Sequence, residues 1–335
     1  MLNIYNIPGA ELQSPMAGIA RPVHEAHNSQ QVIAQAGLDW AVIGKPLRTI
    51  DGQEIDSHKA MIRSDTSHCL GVVGVGYQAL QNAEAFAFCD SLVETGSMTY
   101  LSAGHFGKGE KLFIQCKLNR DPVDIAPGDT IAPYFALGNA HDGSMNVRAL
   151  FTPTRIICQN TFRMCFSKGA NGQDSIAIRH TTNLHDRLEA SKALFRLMDA
   201  NFNTFTLQAK ALAAKRVPSA ERLKQFFDET FSVKATDAKD ESTRAKNRSE
   251  RLADLFMEGA GQKDKPAVRG TVWAALNAVT QFLDHEAPTK LTGIDMTSVG
   301  PDERTRLQRM NRLESNMFGA ASKIKTRALE LALAL

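Results

Sequence analysis

A chain of 335 residues with 43% hydrophobic side chains is long enough to bury a core and too apolar to be disordered throughout. Its formal net charge of +3 and pI near 8.5 permit an anionic partner but fall short of the footprint of a dedicated basic DNA-binding domain. No apolar window reaches the length of a membrane span, the N-terminus carries no basic segment followed by an apolar core, and the five cysteines include no CxxC pair, so a cytoplasmic protein with reduced, buried thiols and no membrane contact is expected.

Residues 1–36 are polar and contain Pro8, Pro15 and Pro22, which reads as an N-terminal arm that orders only against something else. An extended segment starts at Asp39 to Leu47, and Ala60 to Arg63 followed by Leu70 to Tyr77 continues a strand-rich run. Asn82 is placed to cap a helix whose apolar positions Phe86, Cys89 and Val93 recur at helical spacing, with Gly96 ending it in the left-handed conformation. Met98 to Phe106 and Lys111 to Leu118 then flank Gly107-Lys108-Gly109, a glycine-bearing turn that closes an antiparallel hairpin. A second hairpin is expected from Ile131 to Ala140 and Ser144 to Thr152 around His141-Asp142-Gly143, with Met145, Val147, Ala149 and Phe151 on its core face.

Pro153 is expected to end that strand, and Thr154 to Ser167 reads as a helix with Ile157, Cys158, Phe162 and Cys165 inward, followed by a loop at 167–175. A long helix is expected from Asn183 toward Arg216. Leu184, Leu188, Ser191, Phe195, Met198, Phe202, Phe205, Ala209 and Leu212 recur along it at heptad spacing, as a core face within one subunit or a coiled-coil seam, the seam being weakened by Ser and Ala. Between Ser232 and Arg251 large apolar residues almost vanish, which marks a charged linker or exposed helix. Beyond it the 271–285 stretch reads as an amphipathic helix. The expected architecture is α+β: an antiparallel sheet with hairpins covered by helices in a 37–231 core domain, then a 232–251 linker and a helical C-terminal region at 252–335.

The segments GYQALQNAEAFAFCDSLVE, the glycine-rich hairpin after it, and RIICQNTFRMCFS at 155–167 resemble a phage- and plasmid-borne family of unknown function, numbered nine hundred and thirty-two, over roughly Gly37 to Leu212. More remotely, a sheet with packed helices in a mobile-element protein is similar to single-strand DNA annealing proteins of the RecT and Red-beta kind. The family motifs carry no chemistry of their own. The resemblance implies mobile-element biology.

No catalytic constellation is identifiable, so an enzyme is not expected and no cofactor or metal is called for. GHFGKGEK at 104–111 lacks the spacing of a phosphate-binding P-loop and is followed by a strand where that motif needs a helix. Cys158 with Cys165 and His68 with Cys69 do not supply four ligands at zinc-like spacing. His141 beside Asp142 faces no nucleophile, and His105, His180 and His185 have no identifiable partner.

Cations do concentrate in the sheet-and-helix block. Lys108, Lys111, Lys117, Arg120, Arg148, Arg155, Arg163 and Lys168 are interleaved there with Tyr100, Phe106 and Tyr134, the mixture a sequence-tolerant single-strand binder needs. In this reading Lys108 and Lys111 project from a mobile hairpin tip, Arg148, Arg155, Arg163 and Lys168 add phosphate contacts, and Tyr100 or Phe106 stacks on a base. Solvated lysines and core aromatics account for many such residues in any protein. A second basic cluster follows: Arg306, Arg309 and Arg312, three apart and expected on one helix face with Glu303 and Glu314 for pairing, then Lys323, Lys325 and Arg327.

The expected function is ATP-independent binding and annealing of single-stranded DNA in phage or plasmid recombination. The protein would assemble as a homo-oligomer through its long helix and exposed strand edges. The alternative is a protein-binding module, with a host or plasmid protein as partner, for counter-defence or plasmid maintenance.

Overall fold

Short-range turn chemistry and strand alternation produce two antiparallel sheets, with the order and pairing that the hairpins dictate. The structure, a computed structural model, describes residues 19–145, 147–155, 184–231, 238–258, 266–289 and 299–335. The first sheet is a three-stranded meander of β2 (Val42–Arg48), β3 (Glu54–Arg63) and β4 (Cys69–Gly74). The larger sheet has six strands: β1 (Arg21–Pro22), β5 (Met98–Phe106), β6 (Lys111–Leu118), β8 (Asp129–Ala140) and β7 (Val123–Ala126) in that order, with β9 (Arg148–Arg155) also pairing to β8.

Both predicted hairpins form. Phe106 pairs with Lys111 across the first turn, and Gly138 pairs with Arg148 across the second. Val147, Ala149 and Phe151 join the main core, as the alternation requires, whereas Met145, also buried, precedes β9 and lies on the opposite side, near Gly138. Pro153 does not end its strand: β9 runs on to Arg155, and Pro153 sits opposite Pro133 of β8. Thr154 and Arg155, expected to open a helix, are instead the end of this strand; the rest of that expected helix, the loop after it and Cys158, Cys165 and His180 lie outside the described residues.

The helix expected after Tyr77 is broken into α2 (Asn82–Phe86), a tight turn at Ala87–Cys89, and α3 (Asp90–Glu94). Its cap is Gln81 rather than Asn82. Gln81 and Glu84 exchange a reciprocal capping box, while the Asn82 amide turns inward and donates to the carbonyls of Leu38 and Trp40 at 2.7 and 3.2 Å. The segment read as an arm is partly folded: β1 pairs with β5, and α1 (Ser29–Ala36) starts on an Asn28 cap and contributes Val32 and Ile33 to the core. Asp90 ties this helix down, accepting from the Ser29 amide, the Ser29 hydroxyl and the Tyr100 hydroxyl at 2.6, 2.8 and 2.6 Å.

One face of the larger sheet, including Leu112, Ile114, Cys116, Phe135 and Leu137, meets the main core. The long helix α4 (Leu184–Ala214) supplies Met198, Phe202, Phe205, Ala209 and Leu212 to that core, with Phe202 edge-on to Phe151 and Phe205 against Trp273. The heptad-like stripe is therefore intramolecular over this stretch, and those residues are not available as an assembly seam. α5 (Ala220–Phe231) and α6 (Ala238–Glu258) follow, the latter being the helical form of the charged segment. α7 (Val272–Gln281) is buried on every side from Val272 to Thr280 and so is not amphipathic; its Trp273 indole donates to the buried Asp129 carboxylate at 2.7 Å. The core continues across the segment read as a domain boundary, reaching Ala328 and Ala332 of α9 (Ala320–Ala334).

The opposite face of the sheet is covered near the hairpin tips by α8 (Pro301–Phe318), a helix opened by Pro301 and the first-turn acids Asp302 and Glu303. Phe106, Phe113 and Ala136 pack there against Leu313 and Met317. Gly138 makes the contact possible. A β-carbon at that position would lie 2.3 Å from the Phe318 ring. Gly138→Ala is expected to cost about 1–3 kcal/mol through overpacking, read by chemical denaturation, and Gly138→Ala/Phe318→Leu should recover part of that loss. Equal stability of Gly138→Ala and the parent would show that α8 is not seated on the strand.

Candidate functional site

The first hairpin turn, Gly107 to Glu110, lies against the small sheet. Arg63 of β3 stacks over the Trp40 ring at 4.4 Å, is held by Asp65 through two bonds, and donates to the Lys108 carbonyl at 2.8 Å. Gly109 has φ 118 and its missing β-carbon leaves room for the Trp40 ring. The tip is thus clamped, in place of the mobile tip expected from its glycines. Its backbone also reaches the second hairpin, where the His141 amide donates to the Glu110 carbonyl at 2.8 Å.

α8 lies across both tips and leaves a cleft of about 940 Å³. Lys108 enters it from the hairpin turn, Lys111 and Arg148 from the starts of β6 and β9, Arg306 and Glu314 from α8, and Met145, Met310 and Phe318 form its apolar lining. The tertiary structure therefore joins three of the sequence-derived cations with the first arginine of the second basic cluster.

Their charge is only partly free. Lys111 contacts Glu314 at 2.5 Å and Asp142 at 4.0 Å, and Arg306 pairs with Glu303 at 3.1 Å. Lys108 is exposed, and neither its ammonium nor the Arg148 guanidinium has an ion-pair partner among the described residues. Glu110 is occupied locally, accepting from the Lys108 amide at 2.5 Å.

The aromatic candidates are placed differently. Tyr100 is buried on the main-core side, where burial raises its hydroxyl well above the ordinary range with Cys89, Cys116 and Asp90 adding to the shift. Phe106 is buried between Phe113 and Phe318. Neither ring presents a face to the cleft surface, so base stacking on these two rings is withdrawn. Tyr134 is buried as well. Arg155 is the last residue of β9, its backbone seven residues beyond Arg148 and about 23 Å along an extended strand. Arg163 and Lys168 lie outside the described residues. Arg120 is engaged with Asp199 and Asn203 and covers the Phe202 ring at 5.0 Å.

The three-apart arginines of α8 do not share one face. Each step of three residues falls about 60° short of a full turn, so Arg306 and Arg312 diverge by about 120° around the axis. Arg306 faces the hairpin cleft, while Arg312 faces a second cavity toward α6. Lys325 leaves the surface altogether and pairs with Asp284 in the interior. Glu314 was expected to pair along its own helix but reaches Lys111 on β6 instead.

His68 and Cys69 are exposed, and neither they nor His105 line the cleft. His105 is pulled below the ordinary histidine range mainly by burial and then by Arg63. Burial pushes the Cys116 thiol up. Among the described residues, no group of three or more His, Cys, Asp and Glu side chains could hold a metal ion, and no helix is long and apolar enough to cross a membrane.

Residues 69–315 match the family model described as a domain of unknown function, DUF932, and the chain belongs to that family. The match starts later than the Gly37 expected from the motifs and continues well past Leu212, through most of α8, so the helix that closes the cleft is part of the family's common segment. No curated protein and no solved structure matches the chain.

Proposed function

We propose that the chain binds single-stranded DNA through backbone phosphates, without ATP, as a strand-binding and annealing factor of a phage or plasmid. The observation that carries this reading is the meeting of Lys108, Lys111, Arg148 and Arg306, from three distant parts of the sequence, in one cleft. Phosphate contact suits exposed lysine and arginine, because a strand's backbone presents the same charge whatever its bases. Of these four cleft cations, only Lys108 and Arg148 have no ion-pair partner among the described residues, so each subunit neutralises about two phosphates, and useful affinity requires several subunits along one strand.

A weak site of this kind has a numerical signature. Two phosphates per subunit imply a slope of log affinity against log salt of about −1.4 for a single strand. Fluorescence anisotropy of labelled single- and double-stranded oligonucleotides across a salt series measures it. Lys108→Ala/Arg148→Ala should bring the slope close to zero and weaken single-strand binding at every salt concentration. Absence of binding at low salt, or equal binding by parent and double variant, would sink the proposal.

A second reading, a protein-binding module for counter-defence or plasmid maintenance, draws on the small sheet. Ile43, Ile55, Val72 and Val75 are exposed large hydrophobic residues on or beside it, and an outward apolar patch is a common protein contact surface. Salt separates the two readings. Association through this patch would survive salt that releases a phosphate-bound strand, and Val72→Asp would weaken it while leaving strand binding intact.

A further inference from the structure

The second cavity, about 500 Å³, opens to the surface between α5, α6, the Phe282–Glu286 turn, α8 and α9. Its walls divide by chemistry. Arg244 and Arg248 come from α6 and Arg312 from α8, while Phe231, Phe282 and Ile324 supply apolar surface; none of the described residues that line it is Asp or Glu.

Arg312 is half-buried, and its Nε donates to the Ala287 carbonyl at 3.0 Å, which fixes the guanidinium plane at the cavity wall. It has no carboxylate within ion-pair distance among the described residues. Burial pulls it below the ordinary arginine range, Arg309 adds to that, and Asp284 and Glu286 only partly oppose it. A half-buried guanidinium with no ion-pair partner among the described residues is stabilised by a bound anion, and its fork matches phosphate or carboxylate oxygens in pairs. Arg248 lies over the Phe231 ring at 4.6 Å, and Phe231 meets Phe282 edge-on at 6.0 Å, so cationic and aromatic surfaces adjoin. The volume falls within the range of small-molecule pockets.

We propose that this cavity binds a small organic anion: an oxyanion head, phosphate or carboxylate, joined to a flat apolar body. The head meets Arg312 with Arg244 opposite, and the body lies against Phe231, Phe282 and Ile324, beside the Arg248 that covers Phe231. This site is separate from the hairpin cleft and does not depend on strand binding.

Calorimetric titration of the full chain tests it with phenyl phosphate, benzoate, inorganic phosphate and phenol as probes. Phenyl phosphate or benzoate should bind at least about tenfold more tightly than inorganic phosphate or phenol, since each of the latter makes only half of the contacts. Which of the two preferred probes binds better identifies the head group. Arg312→Lys should weaken the preferred probe by about tenfold, because one point charge replaces a paired donor. Arg244→Ala, an exposed substitution, should weaken it several-fold even if Arg312→Lys folds poorly, and Lys108→Ala should leave it unchanged. Phenol binding as tightly as phenyl phosphate and benzoate, neither of those exceeding inorganic phosphate, or an unchanged affinity in Arg244→Ala would overturn the proposal.

Discussion

Lys325→Met should destabilise the protein by about 3–5 kcal/mol, because it removes the opposite charge from beside a carboxylate that cannot reach water. Lys325 and Asp284 are 2.5 Å apart with side-chain exposures of 2% and 0%. Burial pulls the Lys325 ammonium below the ordinary lysine range even with Asp284 in contact. The charged pair has therefore lost hydration that its own attraction offsets only in part. Its geometry joins α9 to the Phe282–Glu286 turn, where Asp284 projects inward. Lys325→Met/Asp284→Leu removes both charges and should recover most of the stability lost by the single variant. Urea denaturation of the parent, the single and the double variants closes the cycle. A single variant within about 1 kcal/mol of the parent would mean that the pair is not buried as described.

Acid should unfold the protein earlier than its carboxylates alone require, because His141 is held neutral in the fold. The imidazole is fully buried, its Nε2 lies 2.8 Å from the Asn82 Oδ1, and the Trp40 ring meets it edge-on at 5.6 Å. Burial lowers its pKa to about 4 and outweighs the neighbouring Asp142, which raises it. An unfolded histidine titrates near 6.5, so between pH 6.5 and 4 the unfolded chain gains a proton that the folded chain refuses. The stabilisation is complete above pH 6.5 and is lost as the pH falls, reaching about 3 kcal/mol near pH 4. His141→Gln keeps a side-chain donor for Asn82 and removes the titrating ring. Its stability should fall less steeply than the parent's over this window, whatever its stability at neutral pH. Parallel curves for the two proteins would show that His141 takes up its proton without unfolding.

The strands were readable wherever the signal is local. The glycines of 107–109 and the Asp142-Gly143 pair place two hairpins correctly because a turn is decided by a few residues' backbone preferences. The long helix was readable for the same reason, its apolar residues recurring over many turns. Pro153 misled because a proline ends a strand only where its missing donor is needed; here it faces another proline and the ladder continues. Asn82 misled because side-chain type suggests a cap, whereas the reciprocal bond between Gln81 and Glu84 decides it.

The candidate site residues were legible only as types. A basic residue in a strand carries no mark of what will face it, so neither the pairing of Lys111 with Glu314 nor the burial of Tyr100 and Phe106 has a local signal. The even spacing of Arg306, Arg309 and Arg312 did hold the information that they diverge, since three residues are less than one turn of helix.

By itself the sequence determined the fold class, the two hairpins, the length of α4 and the side-chain chemistry offered to a partner, because these follow from period, turn residues and composition. Tertiary structure alone decided which charges remain free. Contacts between residues more than a hundred positions apart withdrew Lys111 into an ion pair, while packing turned the candidate stacking aromatics inward and divided one arginine row between two cavities. A charge's availability depends on what the fold brings within a few ångströms of it, and no local pattern encodes that distance.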